Sequence, residues 1–146
     1  MSKPFHFKLE KVLDYRGQLE EQAKAALAAA QAEHDRQAAL VNGLRDRLAA
    51  HMDRQAESNK SANDMWLWRQ YKDALEQDIS REQYRLSELE LKLHQARQEA
   101  VARSKDKKLL EKLKETQAKK HHEEENAREE KENDEMATLR YESENF

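Results

Sequence analysis

The stretch Leu86-Ser87-Glu88-Leu89-Glu90-Leu91-Lys92-Leu93-His94-Gln95-Ala96-Arg97-Gln98-Glu99-Ala100 decides the fold. Leu86, Leu89, Leu93, Ala96 and Ala100 follow one another in alternating steps of three and four. That period belongs to a helix with one apolar seam, and charged residues fill the other faces. A disordered chain has no reason to keep such a period. A seam of this kind has to be buried against another surface.

Outward from this stretch the pattern persists. Trp68, Tyr71, Leu75 and Ile79 precede it, and Leu110 and Leu113 follow. Upstream, Phe5, Leu9, Val12, Leu19, Ala23, Ala26, Ala30, Leu40, Leu44 and Leu48 recur mostly in steps of three and four. Arg16, Glu33 and Gln37 interrupt that stripe. Between the two stretches lies the polar cluster Glu57-Ser58-Asn59-Lys60-Ser61-Ala62-Asn63-Asp64, in which Ser61, Asn63 or Asp64 can cap a second helix. The reading is one all-α, coiled-coil domain over 1–146. It has a first helix over about 5–57, a turn near 58–63, a second helix over about 64–140 and a frayed tail at 141–146. Gly17 and Gly43 fall inside the first helix, each costing about 1 kcal/mol relative to Ala.

The least demanding partner for one seam is the other, folded back as an antiparallel hairpin. Facing positions then add to roughly 121, so Leu9 falls near Leu113, Val12 near Leu109, Ala23 near Gln98 and Ala30 near Leu91. Residues 23–32 contain seven alanines, and this thin surface would face the leucine-rich part of the second helix. Large residues against small ones is what close packing requires. A parallel homodimer would stack alanine on alanine.

Composition agrees. The chain has 146 residues, with 39% charged, 37% hydrophobic and 6% aromatic. It holds 2 Gly, 1 Pro and no Cys, too few turn residues for an all-β fold. No apolar run reaches the roughly 18 residues of a membrane span, and Met1-Ser2-Lys3-Pro4-Phe5-His6-Phe7 lacks the apolar core of a secretory signal. The absence of Cys excludes disulfides, thiolate nucleophiles and thiolate metal sites, and fits a reducing compartment. A net charge of -3 does not point to nucleic acid.

The arms are unequal: about 50 residues, roughly 75 Å, against about 75 residues, roughly 110 Å. Residues past about 115 therefore have no expected partner in the chain. Residues 102–120 carry 8 Lys or Arg against 3 Asp or Glu, whereas 121–146 carry 3 basic against 10 acidic. Opposite charge blocks at one end of a long helix suit steering toward a charged protein surface. At the other end, Trp66 and Trp68 lie too far apart around a helix for one seam to bury both. Trp68 is expected inward with Tyr71 and Leu75, and Trp66 outward as an interface anchor.

No catalytic constellation is present. There is no Gly-rich phosphate loop and no nucleophile elbow. His121-His122-Glu123-Glu124-Glu125 places His121 and Glu125 one turn apart, but two ligands on an exposed helix fall short of the usual four. His34, His51 and His94 read as polar residues flanking the seam. The expectation is a non-enzymatic chain with no metal and no cofactor.

Three segments carry a resemblance. Phe5-His6-Phe7-Lys8-Leu9-Glu10-Lys11-Val12-Leu13-Asp14-Tyr15-Arg16 is similar to an F-x-L-x-x-V-L-x-Y-R opening, with Lys8 where Arg is frequent. The aromatic segment Trp66 to Leu75 follows the turn. Then come the basic run Ser104-Lys105-Asp106-Lys107-Lys108-Leu109-Leu110-Glu111-Lys112-Leu113-Lys114 and the tail Asp134-Glu135-Met136-Ala137. In this order, over nearly the full length, they resemble the FliJ family of flagellar type III export proteins.

The resemblance implies a soluble cytoplasmic component of flagellum assembly, peripheral at the cytoplasmic face of the inner membrane. It implies a stalk docked in the hexameric export ATPase that promotes ATPase assembly and activity. It further implies coupling to the cytoplasmic domain of the export gate, with export-chaperone character and contact with other flagellar export chaperones. Carried onto this chain, Phe5, Lys8, Arg16, Arg103, Lys105, Lys107, Lys108 and Lys112 are the candidates for ATPase contact. Gln37, Val41, Leu44, Leu48, Trp66, Tyr71 and Leu75 are the candidates for gate contact, with the acidic Asp78 and Glu82 at that edge. The same Leu44, Leu48, Tyr71 and Leu75 also read as seam residues. The free chain is expected to be a monomer, without nucleic acid or membrane insertion. The competing readings are a self-associating coiled-coil scaffold and a cargo-escorting chaperone without ATPase contact.

Overall fold

The computed structural model describes residues 3–58 and 60–144. Their architecture is all-α: helix α1, Glu10–Asp53, a 3-10 turn at Gln55–Ser58, and helix α2, Ala62–Glu144. The helices run antiparallel, with Gln37 reaching Glu82, His51 reaching Trp68 and Arg16 reaching Asp106. These pairings fall within a few residues of the register read from the sequence. The chain divides into two compact units, one comprising Glu21–Ala102, the other drawing on the chain up to Glu20 and from Arg103 onward.

In the Glu21–Ala102 unit the connection is built by polar chemistry. Ser61 Oγ accepts the backbone N–H of Asp64 at 3.1 Å, and the Ser61 carbonyl accepts that of Met65, so Ser61 is the N-cap of α2. At the other side the backbone tightens, with Arg54 N–H donating to the His51 carbonyl at 3.2 Å. That same carbonyl accepts the indole N–H of Trp68 at 3.0 Å. A helix end leaves such carbonyls without intrahelical donors, and here the tryptophan supplies one.

The seam of this unit uses Ala23, Ala30, Val41 and Leu44 of α1 against Trp68, Leu75, Leu86, Leu93 and Ala100 of α2. Half-buried Leu27, His34, Leu48 and His51 interleave on α1, and Ile79, Glu82, Leu89 and Ala96 on α2. With buried Gln37 on α1 and half-buried Lys72 on α2, both sets keep steps of three and four, the coiled-coil rule. Three expected seam residues lie elsewhere: Ala26 is exposed, Leu40 is 48% exposed and Tyr71 49%. Gln37 occupies a seam position, which puts Val41, at 2% exposure, inside and turns Leu40 out. Gln37 Nε2 donates to the Glu82 carbonyl at 2.9 Å and to its carboxylate at 2.7 Å, so the buried amide is satisfied.

In the other unit Phe7, Leu13 and Leu110 are buried together, and Phe5 packs against them. Its seam is largely polar. Arg16, Glu20, Lys107 and Lys114 take seam positions on the two helices. Arg16 donates to the Asp106 carbonyl at 2.8 Å. Lys107 lies 3.5 Å from Glu20 and 3.6 Å from Glu111, and Lys114 lies 2.8 Å from Glu10. Glu20 is only 5% exposed, and its charge holds the Lys107 ammonium above the ordinary lysine range. Leu9, Val12, Leu109 and Leu113, expected in the seam, are all exposed, because the polar residues hold the inward positions.

Two boundaries differ from expectation. Helix α1 starts at Glu10 rather than near Phe5, since residues 3–7 run outside the helix and the Phe7 carbonyl accepts the Glu10 N–H at 3.2 Å. This segment lies along α2: the Lys3 carbonyl accepts from His121 Nε2 at 2.8 Å, and the Phe5 and His121 rings sit 5.7 Å apart. Cover on α2 therefore reaches His121, beyond the position near 115 where the overhang was expected. From 126 to 144 every residue is exposed, yet α2 stays helical to Glu144. Of the tail expected to fray, 145 and 146 lie outside the described residues, as do 1 and 2 and Asn59 in the expected turn.

Candidate functional site

The candidate surfaces are sorted by which side chains the seam has already engaged. Among the cations of the terminal unit, Arg16, Lys107 and Lys114 point inward and are bonded as above. Arg103 is half-buried. Lys105, Lys108 and Lys112 are exposed and have no ion-pair partner among the described residues, and Lys8 is exposed on the approach to α1. The face opposite the seam thus carries free ammonium groups, while the half-buried cations tie the helices together. Phe5 serves the small core and the ring contact with His121.

A groove of about 330 Å³ opens in the same unit, lined by Val12, Tyr15, Arg16, Leu19, Arg103 and Asp106. Tyr15 is 58% exposed at its rim. Tyr15, Leu19 and Asp106 were not singled out from the sequence as contact residues. The signal was there for Tyr15, which stands beside Arg16 in the opening motif.

At the turn, His51 is the organising residue. Its ring stacks on Trp68 at 4.8 Å and 18°, and meets the edge of Tyr71 at 4.6 Å and 73°. Its Nε2 lies 2.8 Å from the Trp68 carbonyl. A carbonyl only accepts, so Nε2 carries the proton in this contact. With the indole bond returning from Trp68, the two residues exchange two hydrogen bonds. His51 is thus more than a polar flank.

The gate-contact candidates divide in two. Gln37, Val41, Leu44 and Leu75 are buried and belong to the packing of the helices. Leu48 is half-buried. Trp66 is 58% exposed and Tyr71 49%, and Leu67 and Met52 join them as exposed apolar residues near the turn. Trp68 points inward and Trp66 outward, as the helical spacing predicted.

His121 and Glu125 do not form a ligand pair. His121 bonds the Lys3 carbonyl, and Glu125 pairs with Arg128 at 2.5 Å. No group of three or more His, Cys, Asp or Glu converges among the described residues. No helix of the described residues is long and apolar enough to cross a membrane.

No curated protein and no solved structure matches the chain. A family match, to the family described as Flagellar FliJ protein, covers residues 5–145. With a two-helix antiparallel fold and a match over nearly its whole length, the chain belongs to the flagellar FliJ protein family.

Proposed function

We propose that this chain is a non-catalytic component of flagellar protein export that docks by its terminal unit on the hexameric export ATPase. The observation that carries this reading is the division of cations in that unit. Lys105, Lys108 and Lys112 are exposed and free of partners on the face opposite the seam. Free surface charge of one sign accelerates and orients encounter with a complementary surface. The docked stalk would promote ATPase assembly and activity. At the turn, Trp66 and Tyr71 offer the exposed aromatic surface for the cytoplasmic domain of the export gate, since tryptophan and tyrosine anchor protein interfaces. A location at the cytoplasmic face of the membrane follows from those two contacts, and escort of other export chaperones is compatible with them.

The test is the ATP hydrolysis rate of the cognate export ATPase, titrated with this chain. Wild type is expected to raise it saturably near one chain per hexamer. The variant K105E/K108E/K112E is expected to lose most of that stimulation while its helix content stays unchanged. Lys107 is left out because it holds Glu20 in the seam. Undiminished stimulation by the triple variant would remove the assignment of this face.

A further inference from the structure

The outward face of α2 in the terminal unit carries a pattern that the seam does not use and of which the docking reading uses only Lys105, Lys108 and Lys112. Lys105, Lys108, Lys112, Thr116, Lys119, Glu123, Asn126, Glu130, Asp134 and Ala137 follow one another in steps of three and four. On a helix of 3.6 residues per turn they form one stripe. It lies opposite the seam positions Lys107, Leu110 and Lys114, and every member is exposed. Its lysines and carboxylates have no ion-pair partner among the described residues.

The stripe is palindromic in charge about residue 121. Lys119 and Glu123 lie equally far from that point on opposite sides, as do Lys112 and Glu130, Lys108 and Asp134, Thr116 and Asn126, and Lys105 and Ala137. All charges before 121 are positive and all after it negative. A helix antiparallel to its own copy, with the two-fold axis at residue 121, sets Lys119 against Glu123, Lys112 against Glu130 and Lys108 against Asp134. Symmetry repeats each pair. A two-fold interface must be self-complementary in this sense. A parallel pair would set lysine on lysine, which repels.

We propose that this stripe is a contact through which two copies of the chain pair antiparallel, each using the acidic exposed end of α2 to cover the lysines of the other. The partner is a second copy because the stripe matches itself, residue by residue, in charge. The seam stays closed, so this pairing differs from a parallel dimer built on seam residues. It adds a weak associated state to the expected monomer, since exposed ion pairs are individually weak and screened by salt. The inference does not depend on the ATPase reading.

Sedimentation equilibrium on the full chain tests it. Wild type is expected to dimerise at about 20 mM salt and to dissociate toward about 500 mM. Lys112→Glu and Glu130→Lys each turn two attractive pairs into repulsive ones, and each should weaken dimerisation about ten-fold. The double swap K112E/E130K restores every pair and should recover wild-type affinity. Helix content by circular dichroism should be unchanged in all of them, as both positions are exposed and opposite the seam. For the register, Thr116→Cys and Asn126→Cys chains are mixed and oxidised, no other Cys being present. The mixed disulfide is expected to outweigh both like-with-like products. A wild type that stays monomeric at low salt and high concentration, a double swap that fails to recover, or a dominant T116C self-disulfide would each overturn the proposal.

Discussion

Helix α2 holds two regions of the same secondary structure with opposite reasons for being helical. Between Leu75 and Ala100 it is pinned by side chains that α1 covers, Leu75 and Leu93 being only 4% exposed. Between 126 and 144 every residue is exposed, Met136, Leu139 and Tyr141 included. There the helix rests on local terms: backbone propensity and short-range pairs such as Arg128 with Glu125. Such pairs contribute a few tenths of a kcal/mol each, whereas one buried leucine contributes an order of magnitude more. Helical structure in this chain therefore has two different origins. Packing fixes the first region, and the second keeps the freedom to be fixed by a partner.

The largest effect that would break this contrast is expected at Trp68. Trp68→Ala removes a buried ring, its bond to the His51 carbonyl and the stack on His51, and should cost about 3–5 kcal/mol in urea unfolding. Trp66→Ala, about 200° around the helix on an exposed face, should cost under about 0.5 kcal/mol and act instead on gate binding. Equal losses would mean that burial does not separate the two. Next comes Gln37→Leu, which leaves the half-buried Glu82 carboxylate without its amide donor. A loss of about 1–3 kcal/mol is expected, although the substitution adds apolar area. A more stable variant would show that the polar layer holds register rather than stability.

The polar seam of the terminal unit sharpens the comparison through pH. Lys107 has a raised pKa, chiefly from the Glu20 charge. A raised pKa in the folded state means stabilisation that is complete below the unfolded lysine value and lost as pH rises through the folded one. The Tm difference between wild type and Glu20→Gln should therefore be constant through neutral pH and shrink in the alkaline range. A difference that grows with pH would contradict the pairing. The smallest effect belongs to the exposed end of α2. A chain ending after Glu125 should unfold within about 0.5 kcal/mol of the full length. In the intact chain, amides beyond 126 should exchange hydrogen far faster than those between Leu75 and Ala100.

The part of the fold legible in the sequence was the part where apolar residues alone mark the seam. Leu86, Leu89, Leu93, Ala96 and Ala100 do so, and with them came the antiparallel register and the inward Trp68. The reading failed where polar residues take seam positions. Arg16 and Gln37 looked like interruptions, and Glu20 drew no notice. Each is buried or half-buried because a specific partner on α2 satisfies it, and that partner is about 45 to 90 residues away in sequence. Skipping them shifted the stripe onto Leu9, Val12, Ala26 and Leu40, all of them exposed. The candidate docking face was half legible for the same reason. A run of lysines is visible at once, but that Lys107 faces inward while Lys105, Lys108 and Lys112 face outward depends on the seam. The segment 3–7 carried no periodic signal, so its path along α2 to His121 was not foreseen.

The exchange of hydrogen bonds between His51 and Trp68 bears on the order in which the chain assembles. These residues are 17 apart in sequence, whereas Gln37 and Glu82 are 45 apart, Arg16 and Asp106 are 90 apart, and the Lys3 and His121 contact spans 118. Closing a short loop loses less chain entropy than closing a long one, and each pair formed shortens the loop that remains for the next. The hairpin should therefore zip from its turn, with His51 and Trp68 in the folding nucleus and the pairs nearest the chain ends arriving last. Trp68→Ala would then slow folding, whereas Leu110→Ala would chiefly hasten unfolding. The end that is proposed to meet the ATPase would be the last to close and the first to open.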